Sequence, residues 1–167
     1  MIRLIIPNRK YINSYVIAQK EYKEHNVITY NFCEEDILKK FENYRKGINL
    51  KPGYVLADYY WLVDNNEFIG EISIRHKLTE SLLKYGGHIG YGIKYSMWGK
   101  GYGTIMLKLA LKEAKKLGIN KVLITCDADN YGSAKVIENN NGILENKVKN
   151  IINGKEIITR RYWIDNK

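Results

Sequence analysis

The residues best suited to chemistry lie in one run, Trp98-Gly99-Lys100-Gly101-Tyr102-Gly103-Thr104. Three glycines alternate here, just before an apolar helix predicted from Ile105 to Leu117. Glycine has no Cβ, so backbone N–H groups in such a turn can converge on an incoming group. The helix N-terminus adds unpaired N–H groups and a partial positive charge. Together they suit a phosphate or pyrophosphate. A tight strand-to-helix turn without a ligand uses the same residues, so the turn alone decides nothing.

The elements that must position this turn can be read from the hydrophobic spacing. Arg3 to Ile6 reads as a strand, and Asn8 to Lys23 and Glu34 to Lys46 as helices. Tyr54 to Val63 and Phe68 to His76 form a hairpin about Asp64-Asn65-Asn66-Glu67. Leu78 to Tyr85 is a short helix or loop, and His88 to Tyr95 is the strand that feeds the glycine turn. After the helix come a buried-type strand, Lys121 to Cys126, and a helix from Ser133 to Asn139. A hairpin, Ile143 to Ile152 with Glu156 to Ile164, closes the chain about Asn153-Gly154. The expected fold is α/β (α+β): a mixed, mostly antiparallel twisted sheet flanked by helices, with one central right-handed β-α-β crossover.

Composition bounds the reading. At 167 residues the chain is expected to form a single domain over 1–167. No linker, repeat or membrane-length apolar run interrupts it, and the N-terminus does not read as a signal peptide. A cytoplasmic protein is therefore expected. Cys33, Cys126 and three scattered histidines make no metal-ligand spacing, so no metal is expected. The net charge of +9 permits a nucleic-acid or ribosome partner. The lysines are spread rather than blocked, and a solvated basic surface explains them better.

A dinucleotide site is one reading of the turn, but Thr104 stands where its third glycine belongs. The preceding strand also alternates, unlike a buried parallel strand. Coenzyme A is the other reading. Its pyrophosphate rests on the turn, and its pantetheine amides pair with a strand edge as a peptide does. The strand before the turn, Ile89 to Tyr95, is placed to offer that edge.

At these residues the chain resembles the GNAT superfamily of N-acetyltransferases, most strongly from Phe68 to Leu144. Gly101 and Gly103 match the last two fixed positions of its R/Q-x-x-G-x-G/A motif, and Trp98 replaces the Arg or Gln. The run is similar to W-G-K-G-Y-A-T of the branch that acetylates ribosomal proteins. Asn130-x-x-Ser133 resembles the second cofactor-binding segment, and DADNYGSAKVIENNNGILEN resembles a bacterial branch of acetyltransferases. The resemblance implies the GNAT acyl-CoA N-acyltransferase fold and acetyl-CoA as acetyl donor. It implies cofactor contacts from Ile93, Tyr95, Trp98, Gly99, Lys100, Gly101, Tyr102, Gly103, Thr104, Asn130 and Ser133. The implied acceptor is a small-molecule amine or a peptide N-terminus. Homodimers are common in the family, and the terminal hairpin offers an edge for one.

Such a transfer needs a base, because an amine attacks only after losing a proton. His88 stands where the ribosomal branch carries a Glu in A-E-I-G-Y, and imidazole titrates near neutrality. Glu71 on the neighbouring strand is the second catalytic candidate, and His76 a weaker one. Tyr91 and Tyr162 are candidates for lining the acceptor pocket. The family's usual acid, a Tyr seven residues past the Asn, is Ile137 here, so no acid is assigned. Two other classes remain open: a non-catalytic acyl-CoA-binding or sensor domain, and a basic nucleic-acid or ribosome-binding module.

Overall fold

The computed structural model describes residues 1–29 and 36–167. Along the chain run β1 (Arg3–Ile5), α1 (Ile12–Glu24), α2 (Ile37–Lys46), β2 (Ala57–Asp64), β3 (Glu67–Arg75) and β4 (Ile89–Ile93). There follow α3 (Tyr102–Lys116), β5 (Lys121–Asp127), α4 (Tyr131–Glu138), β6 (Ile143–Ile152) and β7 (Lys155–Asp165). The strands form one seven-stranded sheet in the order β1-β2-β3-β4-β5-β7-β6. Every neighbouring pair is antiparallel except β4 and β5, which α3 joins as a crossover.

Side chains alternate across a strand, so each strand feeds two cores. Leu62, Ile72, Ile74, Ile89, Val122 and Ile124 face α3 and α4 and pack on Met106, Leu107, Ala110 and Ile137. Trp61, Val63 and Phe68 face α1 and α2 and meet Tyr11, Tyr15, Ile37 and Phe41. The buried residues of α3 (Met106, Leu107, Ala110, Leu111 and Ala114) recur at helical spacing and make one stripe. The two asparagines at the β2–β3 turn have positive φ, as a tight two-residue hairpin requires, and so do Asn153 and Gly154.

The boundaries differ from the sequence reading where it matters most. α3 starts at Tyr102, three residues before the predicted Ile105, so Gly103 and Thr104 lie in its first turn. β4 stops at Ile93, and Tyr95 belongs to a short 3-10 turn, Tyr95–Met97. β2 begins at Ala57 rather than Tyr54. The segment left between helix and loop contains a wide helical turn, Leu82–Gly86. The predicted start of the second helix, Glu34, and the thiol of Cys33 lie outside the described residues.

The sheet has one discontinuity. β3 and β4 pair over five positions, from Gly70 with Ile93 to Ile74 with Ile89. β5 and β7 pair over seven, from Lys121 with Asp165 to Asp127 with Thr159. Between them, β4 and β5 share only Ile89 with Ile124, reinforced by the His88 N–H donating to the Leu123 carbonyl at 2.8 Å. Beyond that point the two strands part, and the sheet opens toward the glycine turn.

Candidate active site

The opening frees one edge of β4. The Lys94 N–H donates to the Ile69 carbonyl, and the Arg75 N–H to the His88 carbonyl. The even-numbered residues of β4 thus spend their backbone groups on β3. By alternation the backbone groups of Tyr91 and Ile93 point into the opening. The Trp98 indole N–H caps the Ile93 carbonyl at 2.7 Å. The Tyr91 carbonyl and the N–H groups of Tyr91 and Ile93 are left as a short edge for an extended amide-bearing ligand.

At the open end, α3 presents its first turn. Its first internal bond runs from the Ile105 N–H to the Gly101 carbonyl, so the N–H groups of Tyr102, Gly103 and Thr104 are its orphan donors. Gly101 precedes them with φ +83°, and nothing lies within 4 Å of where its Cβ would stand. Gly103 has a different reason to be glycine. A Cβ there would meet Val136 of α4 at 2.9 Å, so this glycine serves helix packing rather than anion approach. Tyr102 donates from its hydroxyl to Asp64, fixing the helix start to the β2–β3 turn. The Thr104 carbonyl accepts from Asn140, which also bonds Val136 and so ties α3 to α4. Lys100 is exposed beside the turn.

The second segment caps α4. The Asn130 side chain accepts from the Ser133 N–H at 3.0 Å. The Tyr91 hydroxyl donates to the Ser133 carbonyl at 3.3 Å, so its side chain spans from β4 to α4. Tyr95 departs from its expected role on the strand edge. Its ring stacks on His25 at the end of α1, and its carbonyl accepts from the Trp98 N–H. The same helix end is stitched to the turn twice more. Glu21 accepts from both the N–H and the hydroxyl of Ser96. The Lys94 ammonium is buried between Glu67 and Glu21.

The other face of the opening, toward α1 and α2, carries the titratable groups. Glu71 pairs across the ladder with Gly92 and accepts from the Trp61 indole N–H at 3.0 Å. Tyr22 of α1 reaches over the same spot, its hydroxyl 3.6 Å from the Cβ position of Gly92. Burial, and then the nearby Glu71 carboxylate, pushes the Tyr22 phenol up, so it stays protonated. Gly92 thus lies beneath the Tyr22 hydroxyl and across the ladder from Glu71.

His88 is placed differently from its expectation as base. It is buried at the last joined point of β4 and β5, and its Nδ1 accepts from the Leu123 N–H at 2.9 Å. With Nδ1 so engaged, the neutral ring carries its proton on Nε2 and has no lone pair to receive another. Burial, with Arg75 adding to it, holds its pKa below the usual value. The unfolded state therefore takes up a proton before the folded state does. The stability His88 contributes is complete above about pH 6.5 and is lost as pH falls below it. We expect His88→Gln, whose amide oxygen can still accept from Leu123, to retain neutral-pH stability and flatten the acid side of the Tm–pH curve relative to wild type. His88→Ala strands a buried N–H and is expected to cost about 1–3 kcal/mol in denaturant melts.

The remaining candidates separate clearly. His76 bonds Asp58, which also accepts from Arg45, and this network lies at the far end of β3. Tyr162 is buried on the α3 side and donates to Glu138, so it lines no acceptor pocket. Ile137 is fully buried core. Burial pushes the Cys126 thiol up to about 11. Roughly one molecule in a thousand is then thiolate at pH 8. We expect Cys126→Ala to keep turnover within about twofold, because a protonated thiol is a poor nucleophile. Steady-state kinetics on that variant checks it.

A strand edge left unpaired beside the open N-terminus of a helix is the arrangement that the amides and pyrophosphate of coenzyme A would need. The chain belongs to the family described as the acetyltransferase (GNAT) domain, whose model matches residues 9–142. No curated protein matches the chain in sequence. Among solved structures, it resembles the Salmonella typhimurium acetyl transferase that modifies the N-terminal serine of 50S ribosomal subunit protein L7/L12. Identity is 22%, coverage is 98% of this chain and 94% of that one, and the TM-score is 0.72. The ribosomal L7/L12 α-N-protein acetyltransferase RimL in complex with coenzyme A is 22% identical, with coverage of 99% and 96% and a TM-score of 0.69. The microcin C7 self-immunity acetyltransferase MccE, in complex with acetyl-CoA and AMP, is 18% identical, with coverage of 98% and 92% and a TM-score of 0.74. The protein is an acetyltransferase of the GNAT family that uses acetyl-CoA. Among the described residues, no helix is long and apolar enough to cross a membrane.

Proposed function

We propose that this enzyme acetylates a primary amine, of a small molecule or a protein N-terminus, by direct attack in a ternary complex. The parting of β4 and β5 beside the open N-terminus of α3 carries this reading. Acetyl-CoA supplies the thioester carbonyl that the amine attacks. The orphan N–H groups of Tyr102, Gly103 and Thr104 hold the pyrophosphate. The free edge at Tyr91 and Ile93 holds the pantetheine amides.

The amine enters over Gly92, where Glu71 takes a proton from the arriving ammonium and passes it to solvent. The nitrogen–carbon bond then forms and the carbon–sulfur bond breaks. The second amine proton leaves to solvent, the thiolate takes a proton from an acid, and solvent returns a proton to that acid. Tyr91 is the group we assign to protonating the sulfur. Burial pushes its phenol up to about 12, so it carries its proton at neutral pH. Its tie to Ser133 brings it to the helix where Ile137 replaces the family's Tyr. We expect Tyr91→Phe to lower kcat by about tenfold or more, with acetyl-CoA affinity little changed.

The direct test is thermal stability with acetyl-CoA, coenzyme A and NAD, each alone, followed by thiol release with amine acceptors. A ligand at a hundred times its Kd adds roughly 2.7 kcal/mol of stability. Stabilisation by both coenzyme A species and not by NAD supports the reading. No stabilisation by either coenzyme A species at saturating concentration overturns it.

A further inference from the structure

Tyr22 carries a polar group that the fold itself does not use. It lies in the last turn of α1 and is only 6% exposed. Among the described residues, no donor or acceptor bonds its hydroxyl. A buried polar side chain ordinarily finds a partner, because leaving it without one is costly. The hydroxyl is aimed at β4, 3.6 Å from where a Gly92 Cβ would stand.

Gly92 stands between Tyr91 and Ile93, whose backbone groups form the free edge of β4, while its own side faces α1. Alternation turns the Tyr91 side chain to the opposite face, where its hydroxyl bonds the Ser133 carbonyl of α4. The two phenols therefore reach the same stretch of β4 from opposite faces of the sheet. Tyr22 is also held in place. Its chain neighbour Glu21 accepts from the Ser96 N–H at 3.1 Å and the Ser96 hydroxyl at 3.2 Å. One turn on, His25 stacks on Tyr95 at 3.7 Å, and the Val27 N–H donates to the Tyr22 carbonyl at 2.8 Å. The end of α1 is fixed to the segment that follows β4, and the phenol is carried with it. A donor set in place beforehand needs no reorganisation when charge develops beside it.

The chemistry of a protonated phenol selects the atom it serves. An ammonium offers only N–H groups, and a free amine spends its lone pair on the attack. The thioester carbonyl oxygen offers lone pairs and gains negative charge as the amine adds. We propose that the Tyr22 hydroxyl donates to the carbonyl oxygen of bound acetyl-CoA and stabilises the oxyanion formed on attack. This rests on the reading above that acetyl-CoA lies along the free edge at Tyr91 and Ile93. The carbonyl π electrons move to oxygen as the nitrogen–carbon bond forms and return as the carbon–sulfur bond breaks. Tyr22 shares its proton throughout and ends each turnover unchanged.

Tyr22→Phe tests this by removing one oxygen. No bond within the protein is lost, so its Tm is expected to equal or exceed that of wild type. Its single-turnover rate is expected to fall about a hundredfold, the usual effect of losing one oxyanion donor, with the Kd for coenzyme A within about twofold. Infrared difference spectra of acetyl-CoA isotopically labelled at the carbonyl, bound without any amine, supply a readout independent of turnover. The thioester band is expected at lower frequency on wild type than on Tyr22→Phe, because a donor weakens the carbonyl bond. An unchanged single-turnover rate, or the same band frequency in both proteins, overturns the inference and leaves amine acetylation standing. A lower Tm with a matching loss of coenzyme A affinity also overturns it, by making the hydroxyl a structural contact. If coenzyme A binds but no amine releases thiol from acetyl-CoA, the amine reading falls, and the infrared comparison alone decides whether Tyr22 bonds the carbonyl.

Discussion

Glu71→Gln is expected to lower kcat by about two to four orders of magnitude, the usual contribution of a positioned general base. The substitution is close to isosteric. The amide oxygen can still accept from the Trp61 indole, so neither the fold nor the aromatic packing behind it is disturbed. Stabilisation by acetyl-CoA should match wild type, because Glu71 stands across the ladder from Gly92 and not at the glycine turn. The residual rate should climb with pH toward the pKa of the acceptor amine, near 8 for a peptide N-terminus and about 10 for an alkylamine. At high pH the amine arrives already deprotonated, and the variant needs its base less. A variant with wild-type kcat and an unchanged pH–rate profile would remove Glu71 from the proton path. With the His88 lone pair committed to Leu123, a water-borne path would then be the simplest remaining route.

The cofactor side of this protein was far more legible in the sequence than the acceptor side, for a physical reason. Strand, glycine turn and helix are consecutive, and their chemistry depends on local spacing. The face proposed to receive the amine is assembled from Tyr22, Glu71 and two glycines of β4, brought together by the sheet register and not by proximity in the chain. Nothing in the local pattern shows that Tyr22 reaches Gly92. His88 misled for the same reason. Its residue type suits a base, but its register puts it where β4 and β5 still join, and there its ring replaces a backbone acceptor.

Other differences come from tertiary packing overriding local preference. Glycine is a poor helix former, so the sequence delays α3 to Ile105. The close approach of Val136 makes glycine the residue that fits at position 103, and the helix starts earlier. Trp98 departs from the family's Arg or Gln, and its indole spends its donor on the Ile93 carbonyl at the end of the strand. Tyr95 reads as the end of that strand and instead anchors the turn to α1 through His25. α1 consequently touches both parts of the proposed site. Glu21 and His25 hold the segment that leads into the glycine turn, while Tyr22 between them lies over Gly92.

The second large effect is expected at Gly101, and the fold supplies its own control. Gly101 and Gly118 flank the same helix, with φ of +83° and +77°, and neither has an atom within 4 Å of its missing Cβ. Valine at either position meets a similar backbone penalty, of order 1–3 kcal/mol, so both variants should melt earlier by comparable amounts. Only Gly101 lies where phosphate must approach the orphan donors of Tyr102, Gly103 and Thr104. Gly101→Val is therefore expected to weaken coenzyme A binding about a hundredfold, or roughly 2.7 kcal/mol. Gly118→Val, after allowance for its lower starting Tm, should gain as much stability from coenzyme A as wild type. Gly103→Ala tests the other kind of glycine in the turn. Its cost should appear mainly as lost stability from the clash with Val136, and pairing it with Val136→Ala should recover most of that loss. Equal loss of coenzyme A affinity at Gly101 and Gly118 would mean that strain in the helix, and not occlusion of an anion site, carries the effect.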